Sequence, residues 1–375
     1  MIGFNSPHFT GNELKYIRDA VVQENHISGN GLFTKQCQNF FERKYGFKKC
    51  LLTTSCTDAL EMAAILCDIH QGDEVIVPSY TFVSSALAFV RAGAKIVFAD
   101  SMRRNPNIDA EQIESLITYK TKVIVPVHYA GVACDMDKIM EIADRYNLLV
   151  VEDAAQSIDS YYKGKPLGAI GHLSAFSFHE TKNIISGEGG LLCVNDEKFI
   201  RRAEILWEKG TNRAEFFRGM VNKYGWVDVG SSFLPNELTA AFLWAQLENL
   251  EDIQNKRKWL WKKYYESLAH MADKGYFTCP DVPDYATNNA HMFYLVFKSI
   301  DERSRMIRFL NENMVQAVFH YLSLHSSPYY QDKHDGRVLA NCDRYSDCLL
   351  RLPLYYDLKE EQVDLICNLI IDYLK

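Results

Sequence analysis

A single lysine stands where a run typical of a β-strand gives way to a glycine-rich turn. The stretch FSFHETKNIISGEGG, residues 176–190, places Lys182 shortly before Gly187, Gly189 and Gly190. Glycine permits positive φ angles and close approach of the backbone. A lysine that is held away from water has a lowered pKa and can form a covalent bond with an aldehyde. This frame predicts that Lys182 is a nucleophile, although a lone lysine is usually a surface residue.

A turn and a carboxylate upstream could complete a site. In TTSCTDALEM, residues 53–62, a strand end, a turn with small hydroxyls and a helix start follow one another. Free N–H groups there, with Ser55 and Thr57, would attract an anion. Asp153 ends the apolar run LLVVED, at the strand end where doubly wound sheets bind ligands. The plainer interpretations are that Ser55 and Thr57 are N-caps and that Glu152-Asp153 caps a helix.

An aromatic residue supplies the fourth part of the pattern. Phe82 follows the run DEVIVPS and could stack on a planar ring, although phenylalanine more often packs in a core. Asp153 could keep a ring nitrogen protonated, as a pyridinium electron sink requires. The four features therefore provide an anion cradle, a carboxylate, a stacking aromatic and an amine nucleophile. Pyridoxal 5′-phosphate (PLP) needs this full set, and the sequence predicts a site for that cofactor.

Strand patterns and helix patterns alternate in the part of the chain that carries these residues. Short apolar runs such as VIVP and LLVVE fit strands that are buried on both faces. Such strands belong to parallel α/β sheets with helical crossovers. Two further strands, at 172–179 and 189–195, are predicted to close the unit around Lys182.

From about residue 240 the pattern changes. A long amphipathic helix without glycine or proline is predicted there, followed by strands at 292–298 and 314–321. The change predicts a large α/β domain over residues 1–250 and a small α+β domain over residues 251–375.

Composition narrows the class of protein. The chain has 375 residues of which 47% are hydrophobic, enough for a substantial core, and a net charge of −7, which argues against binding to nucleic acids or anionic membranes. No apolar run is long enough for a transmembrane helix and the start of the chain lacks a signal-peptide pattern, so a cytoplasmic location is expected. The ten cysteines include no CxxC pair, which indicates reduced thiols and no zinc site.

The sequence resembles the DegT/DnrJ/EryC1/StrS family of sugar aminotransferases, which are fold type I PLP enzymes. The segments that carry the resemblance run nearly from end to end: GDEVIVPSYTFVSSA, KVIVPVHYAGVACDM, VVEDAAQS, YKGKPLGAIG, FSFHETKN and GEGG. The resemblance implies a large, mainly parallel-sheet domain and a smaller C-terminal α+β domain. Relatives with histidine in place of the lysine perform dehydration, so the presence of Lys182 favours amino transfer.

The resemblance also implies roles for individual residues. Lys182 would bind PLP covalently and move the proton between cofactor and substrate, and Asp153 would pair with the pyridine nitrogen. Gln156 would lie near the cofactor ring or its 3-hydroxyl, and Phe82 would stack on the ring. The cofactor phosphate would be held by residues of two segments: Ser55, Cys56, Thr57 and Ser177. No metal site is implied.

A second subunit is implied as well. Residues 230–236 of that subunit, Ser232 above all, would complete the phosphate site of a homodimer. Many family members have Asn-x-Arg where this chain reads Ser232-Phe233-Leu234, so the contact would come from a shorter hydroxyl. The sugar nucleotide would be contacted by residues of the small domain and of one loop: His320, Tyr321, His325, Arg213 and Phe217.

The expected substrates come from a narrower resemblance. The segments LLTTSCTDALEMAA, FSFHETKN, EKGTNRAEFFRG, DVGSSFLPNELTAA, NAHMFY and AVFHYLSLH resemble those of family members that serve enterobacterial common antigen synthesis. This resemblance implies transfer of an amino group from L-glutamate to dTDP-4-keto-6-deoxyglucose, giving dTDP-4-amino-4,6-dideoxygalactose. A 3-keto sugar, a GDP-linked sugar and an equatorial 4-amine product stay open. A non-catalytic sugar-nucleotide binder is an alternative of another class, against which Lys182 and Asp153 argue.

Overall fold

The computed structural model describes residues 1–375, and its strands form two main sheets and one short hairpin. The twelve strands, most of them short and apolar, are β1 (Lys49–Thr53), β2 (Glu74–Pro78), β3 (Lys95–Ala99), β4 (Thr121–Ile124), β5 (Leu149–Asp153), β6 (Tyr161–Tyr162), β7 (Lys165–Pro166), β8 (Leu173–Ser177), β9 (Gly190–Val194), β10 (Phe293–Val296), β11 (Val318–Phe319) and β12 (Leu349–Leu352). β6 and β7 form the hairpin.

Helices connect and cover these strands. The thirteen α-helices are α1 (Glu13–Val22), α2 (Leu32–Tyr45), α3 (Cys56–Leu66), α4 (Ser84–Arg91), α5 (Ala110–Leu116), α6 (Met136–Tyr146), α7 (Ile200–Trp207), α8 (Arg213–Phe217), α9 (Glu237–Glu248), α10 (Leu250–Asp273), α11 (Ile300–Glu312), α12 (Ala340–Cys348) and α13 (Glu360–Leu374).

The large sheet has seven strands in the order β1-β9-β8-β5-β4-β2-β3. Strands β8, β5, β4, β2 and β3 pair in parallel, and β9 runs antiparallel to its neighbours β8 and β1. Successive side chains of a strand point to opposite faces of the sheet. In β2, Val75 and Val77 therefore lie in one apolar cluster and Ile76 lies in another. Helices cover both faces, as a parallel sheet requires.

The carboxyl ends of the parallel strands meet at one edge of the large sheet. Strand β1 ends at Thr53, β2 at Pro78, β5 at Asp153 and β8 at Ser177. Helix α3 begins at Cys56, directly after the end of β1. The segments that follow these strands therefore converge at the edge where doubly wound sheets place their ligands.

The small sheet has three antiparallel strands in the order β10-β12-β11. Its core is a separate cluster of 23 buried residues, among them Leu260 of α10, Phe293 of β10, Leu350 of β12 and Ile366 of α13. The strand predicted over 314–321 is limited to the two residues of β11. The division of the chain into domains at residue 250 stays a prediction.

The prediction of a single long helix from about residue 240 is wrong, because this stretch forms two helices, α9 and α10. Asn249 lies between them with φ −107° and ψ 13°, and its side chain donates to the Ala245 carbonyl at 2.9 Å. Asparagine side chains compete in this way for backbone groups and favour helix ends. Leu243 of α9 packs in the cluster that contains α1 and α2, whereas Leu260 of α10 packs below the small sheet.

The helices and cysteines show two further features. None of the helices is long and apolar enough to cross a membrane. All ten cysteines are free. Cys50 and Cys193 lie opposite each other on β1 and β9 with their sulfurs 3.7 Å apart, well beyond the length of a disulfide bond.

Candidate active site

A cavity of about 450 Å³ lies at the carboxyl edge of the large sheet. Its volume is typical of a small-molecule site. We call the part formed by the ends of the large-sheet strands and their following loops the sheet side, and the part formed by His291, His320, Tyr321 and Arg351 the small-sheet side. The cavity brings together ten of the predicted residues: Ser55, Cys56, Thr57, Phe82, Asp153, Gln156, Ser177, Lys182, His320 and Tyr321.

The amino terminus of α3 forms one end of the sheet side. Ser55 is the N-cap, and its Oγ accepts a hydrogen bond from the Asp58 N–H at 3.1 Å. The capping interpretation of Ser55 is therefore correct. It does not exclude an anion site, because the N–H groups of Cys56 and Thr57 are not used by the helix and the helix terminus carries partial positive charge.

Gly189 and Gly190 lie beside this helix terminus. Glycine is needed at both positions because neighbouring atoms approach closely, and not because the backbone has a positive φ angle. A Cβ at Gly190 would overlap the backbone of Ser55 and Cys56, and one at Gly189 would overlap the Ser186 hydroxyl. Of the three glycines after Lys182, only Gly187 has a positive φ, of 78°. The prediction of positive φ is therefore wrong for Gly189 and Gly190, whereas the prediction of close approach is confirmed for these two glycines but not for Gly187.

Asp153 is held in one orientation at the end of β5. Its Oδ2 accepts a hydrogen bond from the Ser85 hydroxyl at 2.6 Å, and its Oδ1 accepts one from the Ala155 N–H at 3.1 Å. The side chain is buried and lines the cavity. Two hydrogen-bond donors hold this carboxylate in one position in the buried site.

Glu152, the neighbour of Asp153, points away from the cavity and anchors a loop. Its fully buried carboxylate accepts hydrogen bonds from the Gly168 and Ile170 N–H groups at 2.8 Å each and from His128 Nε2 at 2.9 Å. The N–H of Cys134 donates to His128 Nδ1 at 3.1 Å, so the ring proton lies on Nε2 and faces Glu152. The alternative that Glu152 caps a helix is therefore wrong.

Lys182 lies in the loop between β8 and β9. Its N–H donates to the His179 carbonyl and the Glu180 N–H donates to the Gly187 carbonyl, both at 2.9 Å, which makes the loop compact. Burial lowers the pKa of the Lys182 amine. The nearby Asp153 acts in the opposite direction, and the positive charge of Arg351 lowers the pKa further. An amine with a lowered pKa is more often neutral and can act as a nucleophile.

Aromatic and amide side chains form the small-sheet side. The rings of His320 and Tyr321 stack with their centroids 3.5 Å apart, and the Tyr129 hydroxyl contacts His320 Nδ1 at 2.7 Å. Gln156 joins the two sides, since its Nε2 donates to the Tyr321 hydroxyl at 3.0 Å. Phe82 lies across from Tyr321 at 6.1 Å between ring centroids and is 56% exposed, so it borders the opening of the cavity.

Four predicted residues lie outside the cavity of their own chain. The buried ring of His325 contacts the Ser79 hydroxyl at 2.8 Å, through which it ties the 320–325 segment to the end of β2. Arg213 lies 3.7 Å from a carboxylate oxygen of Glu208, and Phe217 is 68% exposed. Ser232 is exposed. Their contacts with a substrate or a partner subunit stay predictions.

The sequence reasoning missed two residues of the small-sheet side, Arg351 and His291. A signal for Arg351 exists, since it is the one charged residue in the apolar run CLLRLPLYY. His291 Nδ1 contacts Asn183 Oδ1 at 2.9 Å, while Asn183 Nδ2 donates to Gln254 and to the Asn289 carbonyl. These bonds place the ring proton of His291 on Nδ1. Burial lowers the pKa of His291 well below its ordinary value, so the ring stays neutral.

The family model of the DegT/DnrJ/EryC1/StrS aminotransferases matches residues 8–371. The chain belongs to this family. Among its relatives, a spore coat polysaccharide biosynthesis protein of Bacillus subtilis is 34% identical over 91% of this chain and 89% of its own length. A GDP-perosamine synthase of Caulobacter vibrioides is 32% identical over 97% of this chain and 95% of its own. A Streptococcus pneumoniae protein solved in its PMP form superposes with a TM-score of 0.89 at 25% identity and covers 98% of each chain.

This sugar aminotransferase has the fold type I architecture, and its cofactor is PLP, as the sequence predicted. The side chains of the cavity fit that cofactor. Lys182 could bind the aldehyde, Asp153 could face the ring nitrogen, and the unused N–H groups of Cys56 and Thr57 could hold the phosphate. When bound, PLP supplies an electron sink for the pair of electrons left when a proton leaves the substrate carbon.

Proposed function

We propose that this sugar aminotransferase moves the amino group of L-glutamate to C4 of dTDP-4-keto-6-deoxy-D-glucose. The products are 2-oxoglutarate and dTDP-4-amino-4,6-dideoxy-D-galactose. The observation that carries the aminotransferase chemistry is that Lys182, Asp153 and the amino terminus of α3 line one cavity. The choice of sugar rests on the resemblance of the segments around Cys56, Lys182 and His320.

In this proposal the residues of the sheet side have distinct tasks. The carboxylate of Asp153, which is fixed by Ser85 and Ala155, keeps the ring nitrogen of the cofactor protonated. The Lys182 amine removes a proton from the α-carbon of glutamate and, in the second half-reaction, delivers one to C4 of the sugar. The lowered pKa of Lys182 supports this exchange, because the amine is easily deprotonated.

The sugar would lie between the opening of the cavity and the small-sheet side. Phe82 and the stacked pair of His320 and Tyr321 offer apolar ring faces there. The Tyr129 hydroxyl holds His320 in place at 2.7 Å. We therefore place the sugar ring against His320 and Tyr321, with the nucleotide nearer the opening.

A homodimer is part of the proposal. Large apolar side chains are exposed around α8 and the loop that follows it: Phe216, Phe217, Met220, Tyr224, Trp226 and Val229. Exposed apolar patches of this kind mark interaction surfaces. This loop leads directly to Ser232, which lies outside the cavity of its own chain, and we propose that a second copy covers the patch and receives Ser232 at its phosphate site.

A GDP-linked keto sugar is the second candidate substrate. The observation that favours it is the 32% identity to a GDP-perosamine synthase over nearly the whole chain. Both candidates use the same chemistry at Lys182, so the choice depends on the nucleotide and on the face of the sugar ring that is presented to the cofactor.

Parallel assays test the proposal. The purified holoenzyme is given L-glutamate with either dTDP-4-keto-6-deoxyglucose or the corresponding GDP-linked 4-keto-6-deoxy sugar, and product NMR assigns the configuration of the new C4 amine. We expect turnover of the dTDP sugar, an axial amine, and the parallel initial-rate lines of a ping-pong reaction. Turnover of only the GDP sugar, or an equatorial amine, would replace the proposed substrate or product. A sequential kinetic pattern would contradict the proposed use of Lys182 in two half-reactions.

A further inference from the structure

The alternation of side chains along β12 turns one arginine toward the cavity. Leu350 and Leu352 point into the core below the small sheet, whereas Leu349 belongs to the cluster of the large sheet. Arg351 lies on the same face of β12 as Leu349, because side chains of a strand alternate. It lines the cavity together with Lys182.

Arg351 has no counter-ion in the protein. Its Nε is buried without a hydrogen-bond partner. The guanidinium lies 4.7 Å from the centre of the Phe4 ring, a cation–π contact that holds the side chain in place without neutralising it. The other groups near it are the phenols of Tyr80, Tyr129 and Tyr321, which are neutral at ordinary pH because burial raises the pKa of each.

Arg257, which is buried, shows how the protein satisfies a guanidinium whose role is structural. Arg257 donates to the Ala290 carbonyl at 3.2 Å and to the His291 carbonyl at 2.8 Å. Nothing equivalent serves Arg351. A guanidinium Nε that is shielded from water without a hydrogen-bond partner is destabilising unless a ligand supplies the partner.

The carboxylates that line the cavity are not available to Arg351. Asp153 is occupied by Ser85 and Ala155. Glu188 lies 3.8 Å from His179 and is 72% exposed. The unprotonated Nε2 of His291 could accept a hydrogen bond, but Arg351 makes none with it.

We propose that Arg351 is the binding site for the α-carboxylate of the amino-acid donor. This inference rests on the proposed function. The α-carboxylate is bonded directly to the carbon that carries the amine, so its partner must lie close to Lys182. The diphosphate of a nucleotide sugar is attached at C1, several bonds away from the ketone at C4. A planar guanidinium matches a carboxylate with two parallel hydrogen bonds.

The test combines variants that lack the guanidinium with amino donors that lack one carboxylate. Wild type, Arg351→Gln, Arg351→Lys and the control Arg308→Gln, an exposed arginine of α11, are prepared as holoenzymes. The half-reaction with L-glutamate is followed by the change in cofactor absorbance. We expect Arg351→Gln to raise the apparent Kd for glutamate about 10- to 100-fold, Arg351→Lys to raise it less, and Arg308→Gln to leave it unchanged.

A chemical double-mutant cycle then identifies the carboxylate. In wild type, L-isoglutamine, whose α-carboxylate is an amide, should bind more weakly than L-glutamate. Arg351→Gln should abolish that difference and leave the difference between L-glutamine and L-glutamate intact. Loss of the glutamine difference instead would assign Arg351 to the side-chain carboxylate and overturn the proposal.

Two further measurements separate this inference from the proposed function. Calorimetric titration with glutarate should show binding to wild type and to Arg308→Gln but not to Arg351→Gln, whether or not glutamate is the natural donor. Binding of dTDP should be equal in all variants. Equal glutarate binding by Arg351→Gln, or weaker dTDP binding with normal glutarate binding, would overturn the proposal. If Arg351→Gln does not fold, Arg351→Lys must still show weakened glutarate binding.

Discussion

On the sheet side of the cavity Asp153 accepts hydrogen bonds from Ser85 and Ala155, while on the small-sheet side Arg351 has no carboxylate partner and its guanidinium lies over the Phe4 ring. A charge that is hydrogen bonded within the protein keeps one position, as the binding of a resident cofactor requires. A charge without a partner is stabilised only when a ligand brings the counter-charge. This contrast supports our proposal that the sheet side holds the cofactor and the small-sheet side binds the substrates.

The two sides also differ in how the chain builds them. The sheet side consists mainly of four short segments at the ends of β1, β2, β5 and β8, each of which carries at least one polar side chain. The small-sheet side is assembled from His291, His320, Tyr321 and Arg351, which come from separate segments of the chain. Substitutions on the sheet side should therefore affect every substrate alike, and those on the small-sheet side should affect one substrate at a time.

The largest expected effect is that of Lys182→Ala. Removing the amine should lower the rate of the complete reaction roughly 10⁵-fold, because the residue serves both half-reactions. The measurement is the initial rate with saturating substrates, together with the visible absorbance that borohydride abolishes in wild type. Lys122→Ala, which removes an exposed lysine of β4, should leave both unchanged. A Lys182→Ala protein with an intact, borohydride-sensitive absorbance would show that another lysine holds the cofactor.

Asp153→Asn should have a smaller effect that is shared by both substrates. The substitution preserves shape but removes the charge that faces the cofactor ring, and it should lower kcat about 10²- to 10³-fold in each half-reaction. Single-turnover rates with glutamate and with the keto sugar check this expectation. Asp144→Asn, at an exposed position near the end of α6, is the matched control. A loss of rate in only one half-reaction would contradict the proposal that the sheet side serves both substrates alike.

The smallest effect concerns the stability of the cofactor-free protein. Burial lowers the pKa of Lys182, so protonated Lys182 is less favourable in the folded protein than in the unfolded chain. Lys182→Met should therefore raise the free energy of unfolding at about pH 7, and this gain should shrink as the pH approaches the ordinary lysine pKa of about 10.4. Urea unfolding at several pH values measures the trend. A gain that grows with pH, or one that Lys122→Met reproduces, would contradict the lowered pKa.

Much of the sheet side could be predicted because its signals are local. Asp153 ends an apolar strand, and Ser55 begins a helix directly after another strand, so neighbouring residues alone indicate where each side chain lies. Interpretations that depended on distant partners were less accurate. The position of Glu152 at a strand end indicates a helix cap, yet its carboxylate binds His128 and the loop at 168–171, which only the folded chain brings to it.

The sequence by itself determined the family, the cofactor, the mainly parallel sheet and the strand ends at which the polar residues of the sheet side lie. These follow from patterns within one strand, turn or helix. Only the tertiary structure decided that α9 and α10 pack on different cores, that His325 is tied to Ser79 outside the cavity, and that Arg351 faces Lys182 without a counter-ion. The reason is that each depends on which surfaces meet when the small sheet packs against the large one, and no local pattern encodes that contact.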